Sequence, residues 1–347
     1  MPNPVHALSR RLAPVLIAGL AWLAPGPAPA AEATHYPLTI RNCGADVTFD
    51  KAPGRAVSIG QSSTEILLSL GLADKIVGTA VWVGPVLKGH EAENARIKRL
   101  ADNSPSFESV VGQEPDLVTV QFEWDVGPNG AVGKRDQFSA LKIPTYISPS
   151  DCVEKDNSGG GDGVRKQMFT MDLVYQEIRE LAEIFDVNQR GEALIADLSR
   201  REAEAIAEVA DVKAKDVPVV FWFSSKEVQG DAFVAGKNGA PAYILKTLGA
   251  RNVITTDEEW PLASWESIVA TNPAVIVIAQ MDRRRYAADD PAVKAKFLET
   301  DPVTSKLDAV RNRRFVMMDA QAMNPTIRTI DGIEALAKGI KSAGLAD

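Results

Sequence analysis

The feature that most constrains this chain is a long internal echo. Ser106 to Gln121, SFESVVGQEPDLVTVQ, and Ser264 to Ala279, SWESIVATNPAVIVIA, stand a constant 158 residues apart, with Ser, Glu, Ser, Val and Pro in register at 106/264, 108/266, 109/267, 111/269 and 115/273. Each copy reads as a helix opened by serine, a turn before proline, and a strand with almost no polar alternation, as expected of a strand buried on both faces. The flanks repeat too. Thr64 to Ala80 matches Ala242 to Thr256, with Gly71 and Gly249 each placed to end a helix, and Gln137 to Ser148 and Lys306 to Asp319 each add a further helix and strand. Between the halves lies Asn188 to Ala210, where Asn188 can cap and Leu194, Leu198 and Ile206 make one modest apolar stripe on a charged helix. At 1.5 Å per residue it would be about 35 Å long, enough to cross between two small domains. The expected fold is therefore α/β: two Rossmann-like βα lobes joined by a single long α-helix, with a ligand cleft between the lobes. The expected divisions are 1–30 for an export signal, 31–163 for the N-terminal lobe, 164–210 for a helical segment including the inter-lobe helix, and 211–347 for the C-terminal lobe.

The first 30 residues read as a secretory signal. Arg10 and Arg11 form a positive start, Leu12 to Leu23 an apolar core, and Ala28-Pro29-Ala30 a small-residue cleavage site. The apolar run is too short for a convincing membrane span, and no cysteine follows the cleavage site to carry a lipid. The expected location is the periplasm. Cleavage would leave 36 basic against 46 acidic residues, a net charge of −10, which argues against nucleic acid or an anionic membrane as partners. In an oxidising compartment the two cysteines, Cys43 and Cys152, are expected to pair, stapling the first lobe.

In open parallel sheets, ligands bind beyond the carboxyl ends of the strands. In the first half, the strand Val57 to Gly60 runs into Gln61, which with Ser62, Ser63 and Thr64 can cap a helix from Glu65 to Leu70. The strand Ile76 to Ala80 runs into Trp82, and Asp116 to Val120 into Phe122 and Trp124. One loop tryptophan is adequately explained as a lid on the local core; two at successive strand ends serve equally as a stacking surface. In the second half, Trp222 sits inside the run Phe221-Trp222-Phe223, where it either reaches the cleft or packs in the sheet. Arg283, Arg284 and Arg285 follow the strand Val275 to Ala279, and Arg328 starts the last helix. A three-arginine run is either a solvated turn or an anion-binding rim. Lys155 to Gly163, KDNSGGGDG, lacks the alternating oxygens of a calcium loop and reads as a mobile connection at the cleft rim. The spacing of Met168, Met171, Tyr175, Ile178, Ala182 and Phe185 marks core packing of an amphipathic helix.

No motif of a known catalytic class is present: no GxSxG, no HExxH, no phosphate-cradling GxxxxGK[ST]. The three histidines, His6, His35 and His90, are scattered, which disfavours a bare metal site built from imidazoles. No cofactor is indicated.

The stretches SIGQSSTEILLSLGLADKIVG, SFESVVGQEPDLV and SWESIVATNPAVIVI, with the signal and the helical rod, resemble the periplasmic substrate-binding proteins of ABC importers for ferric siderophores and cobalamin; IRTIDGIEAL is similar to the arginine-bearing last helix of that family. The resemblance implies a monomeric binding protein, not an enzyme, whose lobes close little around a ferric siderophore and which docks on an ABC permease dimer with its ATPase. Cobalamin, haem or another metal chelate is the alternative ligand, and a secreted enzyme or a chelate sensor on the same scaffold the alternative class. In that reading Gln61, Trp82, Phe122, Trp124 and Trp222 supply contact area, while Arg283, Arg285 and Arg328 meet the oxygens of an anionic chelate. The resemblance also implies that Glu108 and Glu266, one per lobe, meet arginines of the permease. The competing local reading is complementation of a helix dipole, worth about 0.3–1 kcal/mol at each site.

Overall fold

In the computed structural model of the protein, Met1 and residues 32–159, 162–211 and 216–346 are described; apart from Met1, the expected export signal lies outside the described residues. Each half is built on its own sheet. The first has strand order Arg99–Ala101, Ile76–Ala80, Ala56–Ile59, Leu117–Val120, Thr145–Ile147, all parallel. The second has order Leu262–Ala263, Ala232–Val234, Pro218–Ser224, Val275–Gln280, Phe315–Asp319. Its last three strands are parallel, the first two pair antiparallel, and Arg251–Asn252 adds a short parallel pairing to Pro218–Ser224. The central strands are buried on both faces, from Val57 and Ile59 to Val275, Ile276, Val277 and Ile278, which is why they lack alternation.

The repeat is one of geometry as well as of letters. Ser106 and Ser264 are both helix N-caps, with φ/ψ of −73/152° and −72/152°. Their Oγ atoms accept from the backbone N–H of Ser109 at 3.2 Å and of Ser267 at 3.3 Å. Gly249 ends its helix in the left-handed region at φ 72°.

Two helices connect the sheets, Met171–Ile184 and Asn188–Ala207. The second ends three residues short of the expected limit and, with 20 residues, is about 30 Å long. Asn188 does not cap it; its amide donates to the Glu32 carbonyl at 2.9 Å. The helix touches both halves. Near its start Arg190 donates to the Leu70 carbonyl at 3.0 Å, and further along Arg201 pairs with Asp331 at 2.6 Å and Glu334 at 2.7 Å.

The stretch from Gln61 to Thr64 does not cap either. The helix runs from Gln61 to Ser69, directly after Gly60. Gly60 has φ 132°, and a Cβ there would lie 2.3 Å from the Gln121 Cβ. Only glycine allows this approach, which seats the helix start against the end of the neighbouring strand. Cys43 and Cys152 are bonded, with Cα atoms 5.6 Å apart and 109 residues between them in sequence. The bridge ties the turn of the N-terminal hairpin, Leu38–Asn42 with Ala45–Phe49, to the segment after the last strand of the first sheet.

Candidate ligand-binding site

A cavity of about 920 Å³ lies between the strand ends of the two halves. The first half contributes Val81, Gln121, Phe122 and Trp124; the second contributes Glu259, Trp260, Arg285, Asn324 and Pro325. Ser104, Glu123, Asp125, Pro128 and Asn129 of the first half also line it, and a further wall is drawn from Ser150 to Lys166, the connection leaving the first sheet. Trp124 is 54 % exposed, an unusual state for so large an apolar ring, and Trp260 is held by Phe223, with ring centroids 4.6 Å apart.

One wall is a chain of buried charges. Lys155 Nζ donates to Asp151 Oδ1 at 2.5 Å and lies 3.3 Å from Glu259 Oε2, while Arg165 Nε donates to Glu259 Oε1 at 3.3 Å. Burial works against the Lys155 ammonium, but the charges of Glu259 and Asp151 outweigh it and hold its pKa above the usual lysine value. Asp151 also accepts from the backbone N–H of Glu123 at 2.7 Å, and Asn157 bridges Glu123 Oε2 and the Asp151 carbonyl. Burial pushes the Asp125 carboxyl up to about 6; the Ser104 hydroxyl, donating at 2.7 Å, opposes this and the charge of Asp151 adds to it.

Of the residues singled out from the sequence, Phe122, Trp124 and Arg285 line this cavity. The others do not. Gln61 is buried, its Nε2 donating to Glu65 at 3.0 Å and to the Pro85 carbonyl at 2.9 Å, and its Oε1 accepting from Val83 and Gly84. Trp82 is 2 % exposed; its indole N–H donates to Thr79 and the Arg99 guanidinium covers its ring. Trp222 faces the core, edge-on to Trp265 at 4.6 Å, with Lys294 Nζ 5.0 Å from its ring. Arg283 donates to Asn103 at 2.6 Å and its backbone N–H to the Val83 carbonyl, so it joins the halves. Arg328 is buried in an ion pair with Glu65, Nη2 to Oε1 at 2.5 Å and Nε to Oε2 at 2.9 Å. Each inward-turned side chain meets a partner that the linear order does not reveal. Glu108 and Glu266 are exposed in the first turns of the two serine-capped helices.

Sequence reasoning did not name Asp151, Lys155, Arg165, Glu259 or Trp260 as ligand contacts, though all five line the cavity. The Lys155–Gly163 stretch does border the cavity, and Lys155–Asp156 pairs with Val164–Arg165 as a short hairpin, turning both basic side chains into the wall. The one available signal was basic residues at both ends of a glycine-rich turn. Among the described residues, no group of three His, Cys, Asp or Glu could hold a metal ion.

Two sheets facing one cavity across their strand ends, bound by a helix that touches both, define a two-lobed α/β ligand-binding protein. The chain belongs to the periplasmic binding protein family, whose sequence profile matches residues 57–322. It is 26 % identical over 307 residues to an uncharacterized ABC transporter substrate-binding lipoprotein, YvrC, of Bacillus subtilis, covering 88 % of this chain and 86 % of that one. A solved periplasmic binding protein from Veillonella parvula matches with a TM-score of 0.72 at 26 % identity, covering 88 % of this chain and 97 % of that one. A solved protein of an ABC-type Fe3+-hydroxamate transport system from Saccharomonospora viridis matches with a TM-score of 0.68 at 26 % identity, covering 88 % and 99 %.

Proposed function

We propose that the protein is a periplasmic binding protein that delivers a ferric siderophore to an ABC importer, with no chemical turnover. The observation that carries this reading is the cavity between the strand ends. At about 920 Å³ it is at the upper end of small-molecule sites, large enough for a bulky chelate, and Phe122, Trp124 and Trp260 offer it flat apolar area. The iron is cargo, held by the chelator's own oxygens.

The wall charges refine the choice of chelate. Six carboxylates, Glu123, Asp125, Asp151, Asp156, Asp162 and Glu259, stand against four cationic side chains, Lys155, Arg165, Lys166 and Arg285. Two of the arginines expected to meet an anionic ligand, Arg283 and Arg328, are engaged elsewhere. Such a wall disfavours a highly anionic catecholate complex and suits a neutral or cationic hydroxamate. The relative from Saccharomonospora viridis, attributed to an Fe3+-hydroxamate system, is in keeping with this. Glu108 and Glu266, exposed at equivalent positions of the two halves, are the proposed contacts to the two permease subunits.

The test is a titration of the protein, expressed from the full chain, with a ferric trihydroxamate, a ferric tricatecholate, haem and cobalamin, read by quenching of tryptophan fluorescence. The expected result is saturable one-to-one binding of the hydroxamate. Binding of haem or cobalamin with no response to either iron chelate overturns the proposal.

A further inference from the structure

The cavity wall holds two buried polar atoms that have no hydrogen-bond partner among the described residues. Glu259 is 3 % exposed and its Oε2 accepts no hydrogen bond from them; Ser150 is 2 % exposed and its Oγ neither donates to nor accepts from them. Both residues line the cavity. The Lys155 ammonium forms an ion pair with Glu259 Oε2 at 3.3 Å, but its hydrogen bond is made to Asp151 at 2.5 Å. Arg165 bonds the other oxygen, Oε1, at 3.3 Å. A buried carboxylate oxygen held by an ion pair alone, without a hydrogen bond, is only partly satisfied, and a donor filling the adjoining space can complete it.

The group is also fixed in place. The backbone N–H of Gly236 donates to the Glu259 carbonyl at 3.0 Å, and a Cβ at Gly236 would lie 1.9 Å from the Glu258 carbonyl oxygen. The chain beneath Glu259 is thus pressed against a glycine that admits no side chain, which fixes the backbone, while Arg165 on Oε1 and Lys155 beside Oε2 hold the carboxylate. A carboxylate oxygen held in place with acceptor capacity unused can receive a donor from outside.

Charge says what kind of donor. Lys155 and Arg165 are already paired with Asp151 and Glu259, and four further carboxylates, Glu123, Asp125, Asp156 and Asp162, line the cavity with only two further cations, the exposed Lys166 and Arg285. The wall is on balance negative, and a positive arm is favoured over a neutral one.

We infer that this wall is a donor-recognising subsite, in which a positively charged arm of the ligand presents an N–H group to Glu259 Oε2 and Ser150 Oγ makes a further polar contact. The inference rests on the ferric-chelate reading and deepens it, by naming the part of the chelate that is selected. Ligands bearing an ammonium arm are taken; those with the same iron core and a capped arm are discriminated against.

The test uses ferrioxamine B, an iron(III) trihydroxamate with a free ammonium arm, and its N-acetyl derivative, in which a neutral amide replaces the ammonium. Fluorescence titration of the wild-type protein should give at least tenfold tighter binding of the ammonium form. In Glu259→Gln, which keeps the shape and removes the charge, the two affinities should fall within twofold of each other. If that variant fails to fold, the wild-type comparison alone decides. Equal affinities, or tighter binding of the acetylated form, overturn the subsite and leave the ferric-chelate reading intact. Binding of haem or cobalamin with neither chelate bound overturns both.

Discussion

Replacing Arg328 with alanine removes a guanidinium that reaches from the second half into the first. It donates to both oxygens of Glu65 and to the Pro85 carbonyl at 2.6 Å, and Nη1 lies 3.4 Å from Asp319. Glu65 has no exposed side-chain surface, so its charge cannot turn to bulk water. Removing one partner of a buried pair costs about 3–5 kcal/mol. The lower end applies here, because Glu65 Oε1 keeps Gln61 Nε2 and the backbone N–H of Leu87, each at 3.0 Å, and only Oε2 is stripped. Burial already raises the Glu65 pKa, and the Arg328 hydrogen bonds and charge are the main opposing force; without them it rises further. A carboxyl whose folded pKa exceeds its unfolded value binds more protons when folded, so stability is greatest below the unfolded pKa and falls as pH climbs through the folded one. Arg328→Ala should therefore lose about 3 kcal/mol at pH 8 and less at pH 5. Denaturant unfolding of wild type, Arg328→Ala, Glu65→Gln and the double variant at both pH values measures this, and the double variant should recover part of the loss. An Arg328→Ala protein that unfolds like wild type but no longer binds ligand would refute the argument and return the arginine to the cleft.

Three further outcomes follow from other elements. Cys43→Ser with Cys152→Ser opens a loop of 109 residues and should cost about 4–5 kcal/mol by the loop-entropy estimate, read as a lower denaturant midpoint; an unchanged midpoint contradicts the stapling role. Glu177 is fully buried, accepts from Ser63 and Ser148, and is pushed up to about 7 by burial, so stability should fall by roughly 3 kcal/mol as pH rises from about 4.5 to 8. Glu177→Gln should flatten that slope, and an identical pH profile for the two proteins would count against it. Glu108→Ala with Glu266→Ala should leave ligand affinity intact and cost at most about 1 kcal/mol of stability per site, yet sharply reduce uptake by the cognate importer; normal uptake makes them helix-start acids only.

The parts of the fold that were legible are those that local chemistry writes into short windows. A serine three residues before the N–H it accepts, a run such as Val275–Ala279 without polar alternation, and a glycine that ends a helix each carry their structural meaning within a few positions. Two copies at one offset then imposed the two-sheet plan. The strand-end rule was sound for position and silent about direction. It placed Phe122 and Trp124 at the cavity, and it placed Trp82 beside an equivalent strand end, where the indole turns inward to Thr79. Trp222 shows the cause most directly. Its strand has neighbours on both sides in the sheet, and the face on which this residue lies is covered by Trp265 and Phe297, both far away in sequence.

Charged residues were the hardest to read, for a related reason. An arginine near a cleft binds whichever opposite charge is closest and least hydrated, and a protein with a surplus of acids offers many of these before a ligand arrives. Arg328 found Glu65, 263 residues away, and Arg165 found Glu259, 94 away. Neither spacing leaves a trace in a local window. The three-arginine run read either as a solvated turn or as an anion-binding rim, and its arginines are exposed beside a wall that is net acidic. In an acidic chain, the groups left to meet a ligand are those that internal pairing leaves incompletely bonded, and in this wall Glu259 Oε2 is buried with an ion-pair partner, Lys155 at 3.3 Å, but no hydrogen bond from the described residues.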